Sequence, residues 1–274
     1  MMVSYHPSLI AKPSPGWKDS VRIAGLAGFD GVDLDLREIA DADPTALREE
    51  LDAARIRPGA ASLPVELRAD DRAFEEGLTF LRHVAPLAAE IGVQVIHRSI
   101  PAASDSPFFE LQPRLQRRWS ECAAILRGHG IPVAVEPLGT PYRRREGAHE
   151  FISRLDMAAD FAASCGEGVG LLVDSWHWHL SGATASDIVD VGELIVHVHI
   201  ADVPDLPGEA LRDDERVLPG DGIVDFDAFL GGLVAIGYNG MVSPEVPGSW
   251  SVGLDAIDAA RRGLETTLGV LDDR

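Results

Sequence analysis

The chain is poor in cysteine and in positive charge, and each shortage removes a class of function. Only Cys122 and Cys165 occur in 274 residues, with no Cys-x-x-Cys pair, so neither a disulfide framework nor a thiolate metal site is expected. The N-terminus reads as a strand, Val3-Ser4-Tyr5-His6, followed by Pro7, and not as a secretory leader. With two isolated thiols, that pattern leads us to expect a reduced, cytoplasmic protein. Lysine and arginine number 24 against 44 aspartates and glutamates, a net charge of −20. Such a surface repels a phosphate backbone, so nucleic acid is not an expected partner. No apolar run approaches the ~18 residues of a membrane span, so no membrane partner is expected either. Also missing is a glycine-rich phosphate loop. The first strand runs into Pro7-Ser8-Leu9-Ile10, which does not open a dinucleotide-binding unit.

What the sequence does have is regular alternation of short β-rich runs with longer amphipathic segments. Strands are expected near 3–6, 31–35, 58–62, 93–98, 132–136, 169–174, 194–201 and 240–245. Helices are expected near 16–27, 44–55, 71–91, 110–129, 148–165, 185–190, 225–236 and 254–270. Asp43 before Pro44 suits an N-cap and first helical position, and Asp225 is placed to cap the helix carrying Phe226, Phe229 and Leu230. No antiparallel hairpin signal interrupts the series, so the strands should be parallel and joined by crossover helices. Eight such units, without a phosphate loop, favour a closed (β/α)₈ barrel over an open doubly wound sheet. The length matches one barrel of roughly 250 residues, a single domain over 1–274.

A barrel collects its functional groups at the C-terminal ends of its strands. Read in order, those ends are His6, Asp35, Ser62, His97 with Arg98, Glu136, Asp174, His199 and Glu245. In Pro132-Val133-Ala134-Val135-Glu136 the valines share one face, and Ala134 shares the other with Glu136. Valines suit the helix-covered outside, so Glu136 should point inward. The same alternation turns His197 and His199 into the barrel, with His199 nearer the open top, and pairs Asp33 with Asp35 on the second strand.

The segments Val135-Glu136-Pro137, Asp174-Ser175-Trp176-His177, His197-Val198-His199-Ile200-Ala201-Asp202 and Ser243-Pro244-Glu245 therefore meet on one rim. Three carboxylates and an imidazole make a hard donor set suited to one divalent cation, manganese before magnesium, cobalt or zinc. These motifs, together with Pro219-Gly220-Asp221-Gly222-Ile223-Val224-Asp225, resemble the xylose isomerase-like barrels. That superfamily holds sugar isomerases and epimerases, inosose isomerases and dehydratases, and endonuclease IV-type enzymes. The resemblance covers essentially the whole chain. It implies that Glu136, Asp174, His199 and Glu245 bind one metal ion. It also implies a small sugar or cyclitol substrate with an α-hydroxy carbonyl, whose proton is exchanged by Glu136 and Glu245 through a metal-stabilised enediolate.

The resemblance further implies that His177 contacts a substrate hydroxyl, with donation of a hydrogen bond to Asp174 as its other reading. His6, His97, Trp176 and Arg216 complete the expected substrate contacts. For Arg216 the alternative partner is Asp213 or Asp214, and for Trp176 it is simple packing. His197 reads as a satisfied interior histidine, Asp202 as the group that fixes the loop after the seventh strand, and the Tyr142–Arg145 run as loop surface, with a lid formed by Arg143, Arg144 and Arg145 as its alternative. Where the epimerases carry an arginine soon after the strand-seven acid, this chain has Pro204 and Asp205. Isomerisation or epimerisation of an unphosphorylated keto-sugar or inosose is the leading expectation. A lyase on the same scaffold is the alternative, and an endonuclease IV-like repair enzyme, which would need a basic groove and more metal ligands, is the remote one. Homo-oligomerisation is common among such barrels, but no helix face here identifies an interface.

Overall fold

The computed structural model describes residues 1–11 and 13–272. Eight parallel strands close into a barrel: β1 (Met2–Tyr5), β2 (Gly31–Leu34), β3 (Arg57–Ser62), β4 (Val95–Ile100), β5 (Val133–Pro137), β6 (Val169–Asp174), β7 (Ile195–Ile200) and β8 (Met241–Pro244). Each pairs with its sequence neighbour, and β8 closes on β1 in the register Met2↔Met241 and Val3↔Val242. The crossover helices begin and end where local chemistry directs. Asp43 accepts from the amide of Thr45 ahead of the helix Pro44–Ala54, and Asp225 accepts from Ala228 ahead of Phe226–Ala235. Gly92, at φ 90°, closes the long helix Asp71–Ile91, a left-handed conformation that strains the backbone of any residue with a side chain.

Strand alternation separates two apolar regions. Val133 and Val135 join the large core between sheet and helices, whereas Ala60, Val95, Ala134 and Leu172 form a small plug inside the lumen. Glu136 therefore faces inward. The register of β6 on β7 shifts between Leu171 and Leu172, skipping Val196, whose side chain packs on the interior plug.

Three features depart from the sequence expectation. The helix expected over 148–165 spans only Leu155–Cys165. Ahead of it, His149–Glu150 pairs antiparallel with Ala103–Ser104, where no antiparallel pairing was expected. This ribbon is held by Phe151 and Ile152 amides donating to the carbonyls of Ala102 and Pro101. Buried Phe151 and Ile152 mimic a helical apolar face in sequence, but their backbones are spent on this pairing. Second, Asp35 is not a strand residue beside Asp33, although both line a cavity toward β1–β4. The strand ends at Leu34, and Asp35 is an exposed N-cap of the one-turn helix Leu36–Ile39. Third, Asp174 opens a helical stretch of its own, Ser175–Ser181, accepting from the amide of Trp176. Among the described residues, no helix is long and apolar enough to cross a membrane.

Candidate metal centre at the barrel mouth

Glu136 is the last residue but one of β5, Asp174 ends β6, His199 lies near the end of β7 and Glu245 follows β8. The barrel brings all four together, each offering one ligand atom within 4.8 Å of the others. His199 is fully buried, yet neither ring nitrogen has a hydrogen-bond partner, and Glu136 Oε1 is likewise buried and unpartnered. His199 Nδ1 lies 3.4 Å from Glu245 Oε2 and 3.7 Å from Glu136 Oε1, too far for a good hydrogen bond. An orphaned buried polar atom costs about 1–3 kcal/mol, so three in one cluster need a further partner. Ligand atoms about 2 Å from a common divalent ion lie roughly 3–4 Å from one another. The two His199–glutamate separations and the donor types fit such an ion.

The electrostatics carry the same message. Burial alone would lower the pKa of His199, but the charges of Glu245 and Glu136 override it and hold the imidazole well above its ordinary value. Burial would raise Glu245, but Arg216 and His199 hold it well below the usual carboxylate range. The cluster is short of positive charge and recruits it from whatever is near.

Arg216 is the main recruit. Its Nη1 donates to Asp174 Oδ2 at 2.6 Å and to Glu245 Oε2 at 2.9 Å, so its partners are two of the expected ligands and not Asp213 or Asp214. Asp213 instead accepts from Tyr142, Arg143 and Thr140. Burial would raise its carboxyl, but the Tyr142 hydrogen bond and the nearby guanidiniums bring it down to about 2. Arg143 is thus a tie between the loops after β5 and β7, reinforced by Arg145 on Glu209.

His177 does not touch Asp174 through a hydrogen bond. Arg216 Nη2 lies 3.2 Å from His177 Nε2, and Thr140 Oγ1 lies 3.2 Å from Nδ1. A guanidinium has only donors, so Nε2 accepts and Nδ1 carries the proton. Thr140 then accepts from His177 and from Trp176 Nε1, and donates to Asp213. Burial lowers the His177 pKa, in keeping with a neutral ring. Trp176 is fully buried with Arg216 over its ring face and lines neither of the cavities beside the metal ligands. It packs behind the site.

Two cavities flank the cluster. One of about 190 Å³ is bounded by Glu136, His177, Arg216 and Glu245. The other, about 390 Å³, lies toward β1–β4 and takes in His6, Asp33 and His97. His6, His97 and His197 stand around the His199 ring, at centroid distances of 5.4, 5.0 and 5.2 Å. Burial holds His97 and His197 well below the ordinary imidazole pKa, and His197 meets Ser243 at 3.1 Å as a satisfied interior group. Asp33 accepts from Ser4 and from the amide of Ala60 through Oδ1, while its Oδ2 has no partner. With His6 and His199 it forms a second group of potential ligands, but the shared His199 would have to bridge two ions.

Asp202 organises the loop beyond β7. It accepts from the amides of Val203, Gly220, Gly222 and Val224, and a Cβ on Gly222 would overlap the Val203 carbonyl and this carboxylate. That explains the Pro-Gly-x-Gly segment in physical terms. It also seats Arg216, because Val217 pairs with Asp202 in a short antiparallel bridge. Thr140 and Asp33 were not singled out as site groups from sequence. Thr140, four residues past Glu136, had a positional signal, while the unpartnered oxygen of Asp33 is visible only in three dimensions.

A family model described as xylose isomerase-like TIM barrel matches residues 21–270. Inosose isomerase of Bacillus licheniformis is 33% identical over 154 residues, 56% of this chain and 53% of that protein. The chain thus aligns with about half the length of that relative. A xylose isomerase domain protein from Alicyclobacillus acidocaldarius superposes with a TM-score of 0.90 at 26% identity, covering 99% of this chain and 98% of that one. The crystal structure of IolI protein with a binding zinc atom superposes at 0.86 with 22% identity, covering 100% and 99%.

Proposed function

The chain belongs to the xylose isomerase-like TIM-barrel family, and on that premise we propose that it is a divalent-metal-dependent isomerase or epimerase of an unphosphorylated keto-sugar or inosose. The observation that carries this reading is the set of buried, unpartnered donor atoms on His199 and Glu136 facing the carboxylates of Asp174 and Glu245. Those four residues would hold the ion. When bound, a divalent ion polarises a substrate carbonyl and acidifies the adjacent C–H. Manganese, magnesium, cobalt and zinc all suit three carboxylates and one imidazole.

The remaining chemistry belongs to the chain. Glu136 and Glu245 both line the small cavity; in the proposed reaction one carboxylate removes the proton next to the carbonyl and the other returns it. Arg216 and His177 line the same cavity; the guanidinium supplies donors for substrate oxygens, while both ring nitrogens of His177 are engaged by Arg216 and Thr140 and hold that guanidinium in place. The sign of the substrate's charge follows from the carboxylates, which disfavour an anion. Isomerisation is preferred to elimination because an elimination needs an acid over the departing group. His177 Nε2 accepts from Arg216 and carries no proton to deliver, and His97 is held neutral. The inosose isomerase relative supports a cyclitol ketone as the first substrate to try.

The test pairs metal analysis with solvent exchange. Protein purified without chelator should carry about one equivalent of a divalent metal and should incorporate deuterium next to the carbonyl of an inosose or ketose in D₂O. Glu245→Gln should lose both. A metal-free protein whose stability ignores added Mn²⁺ would remove the proposal, and two or three equivalents would favour the nuclease-like reading.

A further inference from the structure

The small cavity at the metal ligands, about 190 Å³, falls below the roughly 300–1,000 Å³ of ordinary ligand pockets. It does not end there. Ser99, Leu138 and Arg143 also wall a larger cavity of about 630 Å³ on the side of β4 and β5. Its outer wall includes the Ala103–Ser104 ribbon, against which Gly147 is pressed so closely that a Cβ would overlap the Ser104 backbone. This wall is fixed by backbone pairing.

The lining of the larger cavity has the two elements a sugar ring requires. Pro101 and Leu138, both partly exposed, give it apolar surface for C–H faces, while Leu115 and Trp119 line it almost wholly buried. Two ion pairs on its rim, Arg98 with Glu66 at 2.8 Å and Arg143 with Glu146 at 3.2 Å, present guanidinium donors beside carboxylate acceptors. A hydroxyl both donates and accepts, and so can bond to such a pair without breaking its charge balance. The charges are matched overall: Arg68, Arg98 and Arg143 against Glu66, Asp105 and Glu146. An anionic group would face as many carboxylates as guanidiniums. The cavity toward β1–β4 is different, with Ile10, Leu34, Ala60 and Ala61 in its lining and no arginine.

We propose that the larger cavity is a subsite for a second, uncharged sugar ring, so that the substrate is a keto-glycoside of at least two rings with its reacting ring at the metal ligands. This deepens the proposed function and rests on it. Contacts remote from the reacting carbon would then be used to position it.

The test compares two probes in D₂O with the metal-loaded protein. One is a one-ring inosose; the other is lactose oxidised to the ketone at C3 of its non-reducing ring. The proposal expects kcat/KM for deuterium incorporation to be about tenfold or more higher for the keto-disaccharide, the return from remote contacts. Ser106→Trp, which places an indole in the larger cavity, should lower the ratio of disaccharide to inosose about tenfold. Arg68→Glu, at an exposed position with no partner among the described residues, should lower the same ratio and serves if the tryptophan variant does not fold. Exchange of the inosose but not the disaccharide, or a ratio that neither variant moves, overturns the subsite while leaving the proposed function standing. Exchange of neither probe overturns the proposed function and the subsite with it.

Discussion

On four consecutive barrel strands the same face carries two different kinds of residue, one pleat repeat apart. Ala60, Val95, Ala134 and Leu172 plug the lumen; two residues further along the same strands stand Ser62, His97, Glu136 and Asp174. The lower layer is small, apolar and complete in itself. The upper layer is polar and incomplete, with unpartnered atoms on His97, Glu136 and His199. Period-two geometry forces both layers to face inward, so the chain places a dry floor directly beneath its chemistry. The floor excludes water from below and keeps the dielectric low, which strengthens every charge interaction above it. Stability and reactivity are thereby assigned to adjacent layers of one fold.

The sharpest way to separate those layers is a substitution in each. Glu136→Gln in the upper layer should cut deuterium exchange by on the order of 10³-fold, the scale of a lost general base, while thermal denaturation shows a folded protein. Arg216→Met should cost about 3 kcal/mol in the metal-free protein, because it strips the cation from the buried Asp174 carboxylate and the partly exposed Glu245. Added Mn²⁺ should then raise the melting temperature of this variant more than that of the unaltered protein, since the ion takes over the neutralising role. An equal rise in both would mean that Arg216 and the ion do not share partners. In the lower layer, Leu172→Ala should cost about 2–5 kcal/mol in urea unfolding, with exchange per folded molecule retained. A collapse of activity there would show that the floor positions the ligands above it.

The smallest effect is that of pH. The pKa of His199 is raised in the folded metal-free protein. Its contribution to stability is therefore full below its unfolded value near 6.5 and is lost as pH rises through the higher folded value. Metal binding has the opposite sense, because the ion needs the deprotonated ring. Affinity should weaken about tenfold per pH unit below the folded value, with uptake of one proton on release, which calorimetry at pH 7 and pH 6 would detect.

The sequence places Ala134 and the expected ligands on the lumen face for one and the same reason. Alternation is a local property, so Ala134 and Glu136 declare their common face without reference to any other strand. Barrel topology then supplies the rest, because every strand end must arrive on one rim. Partner choice is not local. Arg216 reaches Asp174 across 42 residues and Glu245 across 29, and nothing in its own neighbourhood distinguishes those carboxylates from Asp213 beside it. The Thr140 relay is hidden similarly, since a threonine hydroxyl gains its meaning only from the His177, Trp176 and Asp213 atoms around it. The antiparallel ribbon was concealed by its composition, because Phe151 and Ile152 satisfy a helical pattern and a strand pattern equally well.

The Asp202 carboxylate also gives the surface an inverted record of its own motion. Gly220 and Gly222 are exposed, where amide protons ordinarily trade with solvent within moments. Here both are tied to a carboxylate that is almost wholly buried. Their hydrogen-exchange rates should accordingly be slow and nearly identical to that of buried Val224, rising together only when the whole segment lifts. Three amides on one anchor would thus act as a clock for the opening of the loop that carries Arg216, readable without any substrate.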